Sequence, residues 1–333
     1  MLEDRRSEVL RALVEEHIRT GEPVSSRSIA EHSKLAVSAA TIRNDLAALE
    51  QEGFAVQPHT SAGRIPTASA YRYYVDHLDT GRLRRPAHDK VVNFFGDVHL
   101  ELSKLLRATS DLLAEITDLP AVVVAPGVGH DRVRALHTVQ VTTDQILVIV
   151  VTEGGRVVQQ RGRVRVPVTP QEIDRGQRLL ASALVGEELG RAGGLPPEAI
   201  QELDDPTREV VLTLTDCLHL AATAGSEMFI GGTQRMASAW EDPDSVQRIL
   251  DILQREAEVM KFLAGASAVS IQIGSEFDDP SIDMAVVSRA YDASGEVGSV
   301  GVIGPMRMNY KRAISAVEEV SRELEEQIGS GSD

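Results

Sequence analysis

Residues 38–75 read SAATIRNDLAALEQEGFAVQPHTSAGRIPTASAYRYYV. Ser38 is placed to cap a helix, its side-chain oxygen taking a free backbone N–H of the first turn. Ile42, Leu46 and Leu49 then recur at helical spacing and give one apolar stripe. Ala39, Ala40, Thr41, Arg43 and Asn44 fall on the other side. Small residues mixed with Arg and Asn suit a surface that meets base edges, since Arg pairs with the two guanine acceptors and Asn with an adenine donor and acceptor. Gly53 stops the helix. Residues 54–57 read as a short strand, 58–63 as a tight turn and 64–66 as the returning strand. No acidic residue occurs from 53 to 75, and Arg64 and Arg72 are interleaved with Tyr71, Tyr73 and Tyr74. A segment that approaches phosphates needs this balance.

Upstream, residues 3–20 form a helical pattern with Leu10, Leu13, Val14, His17 and Ile18 on one face. Ser25 or Ser26 caps a second helix running to about residue 33, with Ile29 inward. Three helices with a tight link before the third, then a small β-wing, make the winged form of the helix-turn-helix. An ordinary helical subdomain with solvated polar faces is the bland alternative. Residues 67–78 resume a helical pattern, so a first domain is expected over 1–79. TGRLRRP, residues 80–86, is a linker whose Arg82, Arg84 and Arg85 either touch DNA backbone or line a solvated hinge.

The chain has 333 residues, 42% of them apolar, enough for two or three domains with a proper core. Its longest apolar strand run, 146–151, is far short of the ~18 residues that span a bilayer. The start, MLEDRRSEVL, is charged rather than signal-like. A single cysteine, Cys217, rules out an intrachain disulfide framework and a multi-thiolate metal site. The expectation is a soluble, cytoplasmic protein without membrane contact. The net charge of −16 looks wrong for a DNA binder. Residues 1–86, however, hold twelve Lys/Arg and twelve Asp/Glu, so the rest of the chain carries the whole deficit. Phosphates sense local potential within ~8–10 Å. A basic face therefore has to be created by folding within a neutral segment.

Residues 87–118 carry three apolar columns at seven-residue spacing, led by Val91, Val92 and Phe95, and predict one long helix packed on a sheet and a partner helix. His99 in that face reads as a core or rim histidine rather than a ligand. Pro120 ends the pattern. Residues 121–125, 134–142, 145–152 and 156–166 are strand-like. In the last, Arg161, Arg163 and Arg165 share one face, either to bind an anion or as the solvated side of an antiparallel strand. Thr169, Pro170 and Glu172 make a capping box, and further helix starts at Pro196, Asp205 and Asp242 mark residues 169–264 as a mostly helical insertion. Strands resume over 268–273, 282–291 and 296–303, and a last amphipathic helix covers 309–328. The organisation predicted is α+β and multidomain: an α/β domain over 87–168 and 265–333, interrupted by 169–264.

No P-loop, G-x-S-x-G or H-E-x-x-H pattern occurs. Gly127, Val128, Gly129 and His130 are too few for a phosphate fingerprint. Cys217 and His219, two apart in a helix, point to different sides. RGRVR, residues 161–165, resembles the arginine-rich loop of biotin ligases but has only Gly162 to wrap a phosphate. No catalytic residue, cofactor or metal site is expected, and the chain is expected not to be an enzyme.

TGEPVSSRSIAE (residues 20–31), SAATIRNDL (38–46) and QPHTSAGRIPTASAYRYYVDHL (57–78) closely resemble the HrcA family of heat-inducible transcription repressors, as do GSVGVIGPMRMNY (298–310) and, more weakly, IQIGSE (271–276). The resemblance implies that the α/β domain is GAF-like and that the insertion is a dimerising subdomain. It also implies repression of chaperone operons by a homodimer on double-stranded DNA, at an inverted-repeat CIRCE operator, with activity maintained by the GroEL chaperonin and lost on heat stress. On this reading Ser38 starts the helix that enters the major groove, where Thr41, Arg43 and Asn44 read bases. Ser25, Ser26 and Arg27 hold phosphates. His59, Thr60, Ser61 and Arg64 lay the wing along the backbone or minor groove, and Arg72 completes the DNA-binding set. Met306 and Asn309 stand where the family more often shows Thr and Asp, and MFIGGTQRM (228–236) ends in Arg-Met where Asn-Leu is usual. Both departures lie outside the DNA-binding block. Rival readings are a regulator sensing a small molecule in the GAF-like core, and an enzyme with a DNA-binding appendage.

Overall fold

The computed structural model describes residues 4–33, 35–59, 62–79, 81–97, 101–129, 131–191, 195–223, 227–240, 242–263, 268–277, 279, 282–293 and 296–330. The chain opens with α1 (Asp4–Thr20), α2 (Ser26–His32) and α3 (Ala39–Gln51). Local chemistry sets these ends. Ser25 Oγ accepts the Ser28 N–H and Ser38 Oγ the Thr41 N–H, each satisfying a donor the helix leaves free. Gly53, at φ +82°, lets the Phe54 N–H return to the Leu49 carbonyl at 2.8 Å. Strands β1 (Ala55–Val56) and β2 (Ile65–Pro66) pair antiparallel, and Thr67 caps α4 (Ala68–Asp76).

Residues 87–118 form two helices where the periodicity predicted one: α5 (Arg85–Asp97) and α6 (Leu102–Thr117). Glu101 sits at φ −56°, ψ 147°, an extended geometry that breaks the helix although the apolar spacing runs on. His99 lies outside the described residues.

Strand β3 (Ala121–Val124) follows, then β4 (Val133–Gln140), β5 (Gln145–Thr152) and β6 (Val157–Arg163). After them come α7 (Pro170–Leu184), whose capping box on Thr169 and Glu172 is formed, α8 (Pro197–Gln201), α9 (Asp205–Thr223) and β7 (Met228–Gly231). Helices α10 (Met236–Ala239), α11 (Pro243–Leu253) and α12 (Glu256–Leu263) lead to β8 (Ser270–Ile273), β9 (Ala285–Ala293), β10 (Glu296–Gly304) and α13 (Tyr310–Ser330). The fold is mixed α+β, and its strands pair antiparallel.

Five strands make one sheet in the order β7-β3-β10-β9-β8. Both faces are covered, which is why its strands read as near-continuous apolar runs. Ala121, Val123, Val300 and Val302 face α6 and α13, whereas Val122, Val124, Val286 and Ile303 pack with Trp240 just past α10, Ile249 of α11 and Leu263 of α12. Gly301 is required there: a Cβ would lie 2.5 Å from Leu263 Cδ2.

Strands β4, β5 and β6 form a separate three-stranded sheet. Its inner face buries Leu136, Ile146, Val148 and Val150 against Ile173 and Leu180 of α7 and Val210, Leu214 and Leu218 of α9. The expected boundary at 168/169 therefore cuts through one core. The strands thought to belong with residues 87–168 pair among themselves and pack on the helices of the expected insertion. In the other direction, β7, read as part of that helical block, pairs with β3.

The first four helices do not form a detached head. Val9, Leu10, Leu13, Leu46 and Tyr71 belong to the same contiguous core as Leu113, Val123, Val287, Tyr310 and Val317. The Tyr71 and Tyr310 rings lie 6.1 Å apart, and Tyr71 Oη makes a 2.7 Å hydrogen bond with His17 Nδ1.

Candidate nucleic-acid interface

Helix α3 buries Ile42, Leu46 and Leu49, and with them Asp45. A carboxylate on the apolar stripe has to be paired. Arg5 of α1 supplies the partner in a two-point contact, Nε to Oδ2 at 2.9 Å and Nη2 to Oδ1 at 3.0 Å. This planar fork fixes the roll of α3 as well as its charge. The opposite face then presents Ala40, Arg43, Asn44 and Ala47, all exposed. Ser38 is exposed beside them, its hydroxyl 3.0 Å from Thr41 Oγ1.

Other acids around this helix are paired with arginines as well. Glu50 Oε2 meets Arg64 Nη2 at 2.9 Å, and Glu52 Oε1 meets Arg6 Nη1 at 2.6 Å. Glu16, buried on α1, accepts Arg19 through both oxygens, at 2.9 and 2.6 Å, and the Ser28 hydroxyl at 2.5 Å, with His32 at 3.2 Å. The Arg19 bonds hold its carboxyl down at about 2, and the clamp joins α1 to α2. Equal numbers of acids and bases thus leave Arg43 free of any ion pair among the described residues. The sequence signal for this was available: Asp45 occupies a core position of the α3 stripe, where a carboxylate requires a cation from another element.

The remaining expected residues divide into groups. Ser25 is exposed at the start of α2, Ser26 is half-buried, and Arg27 is exposed with Glu31 at 2.8 Å. His59 is exposed at the hairpin turn, where its carbonyl accepts the Ala62 N–H; Thr60 and Ser61 lie outside the described residues. The hairpin is docked on the α1–α2 link by a β-bridge, Val24 N to Arg64 O at 2.9 Å and Arg64 N to Val24 O at 2.8 Å. Arg64 differs from expectation. Its side chain is largely buried against Glu50, so it fastens the hairpin to α3 rather than extending over a surface. Arg72 is corrected more fully: its Nε donates to Glu276 Oε1 at 2.7 Å, its Nη2 donates to Ile271 O at 2.6 Å and also pairs with Glu276, and Asp76 lies at 3.5 Å. It ties α4 to β8 and the turn that follows. Its partner is remote in sequence, so local charge pattern alone misassigned it.

No cluster of three or more His, Cys, Asp or Glu able to hold a metal occurs among the described residues. Cys217 is buried under β6, where desolvation pushes its thiol up, and His219 faces solvent. Arg161, Arg163 and Arg165 are exposed, and Arg163 pairs with Asp144 at 2.9 Å, so within one chain this strand face is open. No helix of the described residues is long and apolar enough to cross a membrane.

Residues 103–314 match the family model described as HrcA protein C terminal domain. The chain is 35% identical to the heat-inducible transcription repressor HrcA of Nocardia farcinica, over 97% of this chain and 96% of that protein. It is also 35% identical to that of Frankia casuarinae, over 99% and 100%. A crystal structure of a protein described as hypothetical covers 100% of both chains at 22% identity with a TM-score of 0.64, which speaks for the fold alone. On the family model and these end-to-end relatives, the chain belongs to the HrcA family, a family of transcription repressors and not of enzymes.

Proposed function

We propose that this chain represses heat-shock (chaperone) operons by binding an inverted-repeat CIRCE-type operator as a homodimer. In this reading α1–α3 with the β1–β2 hairpin are a winged helix-turn-helix. Helix α3 enters the major groove, with Arg43, Asn44 and Thr41 toward base edges and Ser38 at its start. Ser25, Ser26 and Arg27 contact phosphates at the start of α2, and His59, Thr60 and Ser61 contact the backbone or minor groove. Arg64 and Arg72 support the unit from within. The observation that carries the reading is the outward face of α3, where Arg43 and Asn44 stand exposed between two alanines while Asp45 is held inside by Arg5. The five-stranded sheet with its flanking helices takes the part of the GAF-like domain.

The unit built on β4–β6, α7 and α9 is the inserted dimerisation subdomain. The outer face of its sheet supports this, with Leu147, Ile149 and Val151 half-buried between exposed Val139 and Val157. Such a face suits a second copy of itself. Family membership supports maintenance by the GroEL chaperonin, with heat diverting it and releasing the operons. Both faces of the five-stranded sheet are filled by side chains, which favours this control over a ligand held inside that domain.

A gel-shift titration on an inverted repeat and on a scrambled duplex, with and without chaperonin, tests the reading. Arg43→Ala is expected to cost ~1–3 kcal/mol on the repeat and much less on the scrambled duplex. Equal losses on both reject the assignment of α3. An active fraction unchanged by chaperonin rejects the maintenance step.

A further inference from the structure

Residues 81–84, ahead of α5, run along the first turns of α13, where the Ser315 hydroxyl donates to the Gly81 carbonyl at 2.6 Å. Between this strap, the end of α6 and the starts of α5 and α13 lies a cleft of about 560 Å³. Small-molecule sites fall in the same range, roughly 300–1,000 Å³. Its walls bring together Arg82, Arg84, Lys90, Lys311 and Arg312, against a single carboxylate, Glu115. Lys90 already takes that carboxylate at 2.5 Å. Arg82, Arg84 and Lys311 have no ion pair among the described residues, and all three are exposed. Arg312 is oriented by a bond from its Nε to the Ile116 carbonyl at the C-terminal end of α6.

Collecting these cations in one concavity is unfavourable by mutual repulsion, and all the more notable in a chain of net charge −16. Two helix starts add to the positive potential: α5 begins at Arg85, and α13 runs for 21 residues from Tyr310. The cap of α13 is neutral, Asn309 Oδ1 accepting the Arg312 N–H at 3.1 Å, so no carboxylate offsets the field there. A multiply charged anion relieves the repulsion. Guanidinium groups recognise phosphate oxygens through parallel N–H bonds, and lysine adds a point charge. The concave shape suits a short phosphate chain better than a duplex backbone, which needs an open surface.

We propose that this cleft, walled by the strap and the starts of α5 and α13, binds a small polyphosphate carrying two or three linked phosphates, held by Arg82, Arg84, Lys311 and Arg312. The site is separate from α3 and from the filled sheet, and it does not depend on the DNA-binding reading.

Isothermal titration of the full-length protein with inorganic tripolyphosphate, at constant ionic strength, is the test, with ATP as a second probe. Saturable binding of about one equivalent per chain is expected. Arg84→Gln with Lys311→Gln should weaken it at least about tenfold. Arg178→Gln with Arg248→Gln, which removes the same charge from exposed positions on α7 and α11, should leave it unchanged. Thermal melting of both variants at the wild-type temperature confirms that the fold is retained; if the cleft pair melts early, Arg82→Gln alone is used, with a smaller loss expected. Equal affinities for the two probes assign the phosphate chain alone, and tighter ATP binding assigns a nucleotide. Unsaturable heats, equal losses in both double variants, or undiminished binding to the cleft variant overturn the proposal. So does a cleft that binds nonspecific duplex and not tripolyphosphate.

Discussion

Gly63→Ala should unseat the β1–β2 hairpin while leaving the helices folded. A Cβ on residue 63 would lie 2.4 Å from both the carbonyl carbon and oxygen of Val24 and 2.8 Å from the Pro23 carbonyl carbon. These are backbone atoms of a neighbouring segment, so no rotamer change relieves the contact. The bridge between Val24 and Arg64 has to open, and its two hydrogen bonds, at 2.9 and 2.8 Å, are lost. At about 0.5–1.5 kcal/mol net for each bond, the expected destabilisation is about 1–3 kcal/mol. Urea unfolding followed by far-UV circular dichroism measures it, and operator titration of the same variant should show weakened binding with helicity intact. Gly53→Ala is the companion: nothing lies near its Cβ, but φ is +82°, so a loss of ~1–2 kcal/mol should come from backbone strain alone. A Gly63→Ala protein within about 0.5 kcal/mol of wild type, with undiminished operator affinity, would refute the reasoning.

The Glu16 clamp gives a pH dependence. Its carboxyl is lowered from 4.5 to about 2, so its stabilising effect is fully present above about pH 4.5 and lost as pH falls through about 2. The stability difference between wild type and Glu16→Gln, from urea midpoints at several pH values, should therefore be constant at neutral pH and shrink over that window; a difference that grows on acidification contradicts the clamp. A double-mutant cycle on Arg72 and Glu276 should return a coupling of about 1 kcal/mol or less for this part-exposed pair. Arg72→Ala should leave the salt dependence of operator binding unaltered, and a shallower slope would place Arg72 on phosphate instead. Gly162→Ala puts a Cβ 2.6 Å from Thr213 Cγ2 and 2.8 Å from Cys217 Sγ, and should cost about 1–3 kcal/mol. Adding Cys217→Ala should recover part of that loss, and strictly additive effects would show that α9 is not pressed against β6.

Signals carried within a few residues were legible. The caps at Ser25, Ser38 and Thr169, the stop at Gly53 and the α3 stripe all depend on contacts inside one helical turn, and the structure has each of them. Pairings between distant segments were not. Strands β4–β6 are strand-like whichever sheet they join, and only register, such as Leu136 opposite Val150, assigns them to their own unit. MFIG at β7 is four residues long and follows a helix, so nothing local sets it apart. The apolar spacing through residues 87–118 continues although Glu101 leaves the helix, because two helices on the same core share a periodicity. At the candidate interface, Arg43 and Asn44 were legible as the polar side of an amphipathic helix. Arg72 was not, since Glu276 lies 204 residues away. Arg64 needed Glu50 and the Val24 bridge to reveal that it faces inward.

The shared interior of the first four helices and the sheet leaves the N-terminal helices without a swivel. Each added base pair between operator halves moves them ~3.4 Å apart and turns one against the other by roughly 35°. A head on a slack tether follows such a change at little cost, but one anchored by Tyr71 on Tyr310 and Arg72 on Glu276 does not. If paired copies read the two halves, the gap between them is gauged by the protein like the jaws of a fixed caliper. Lengthening residues 80–86 alone would not restore binding to a respaced site, because the anchor is the packed side of α4 and not the strap.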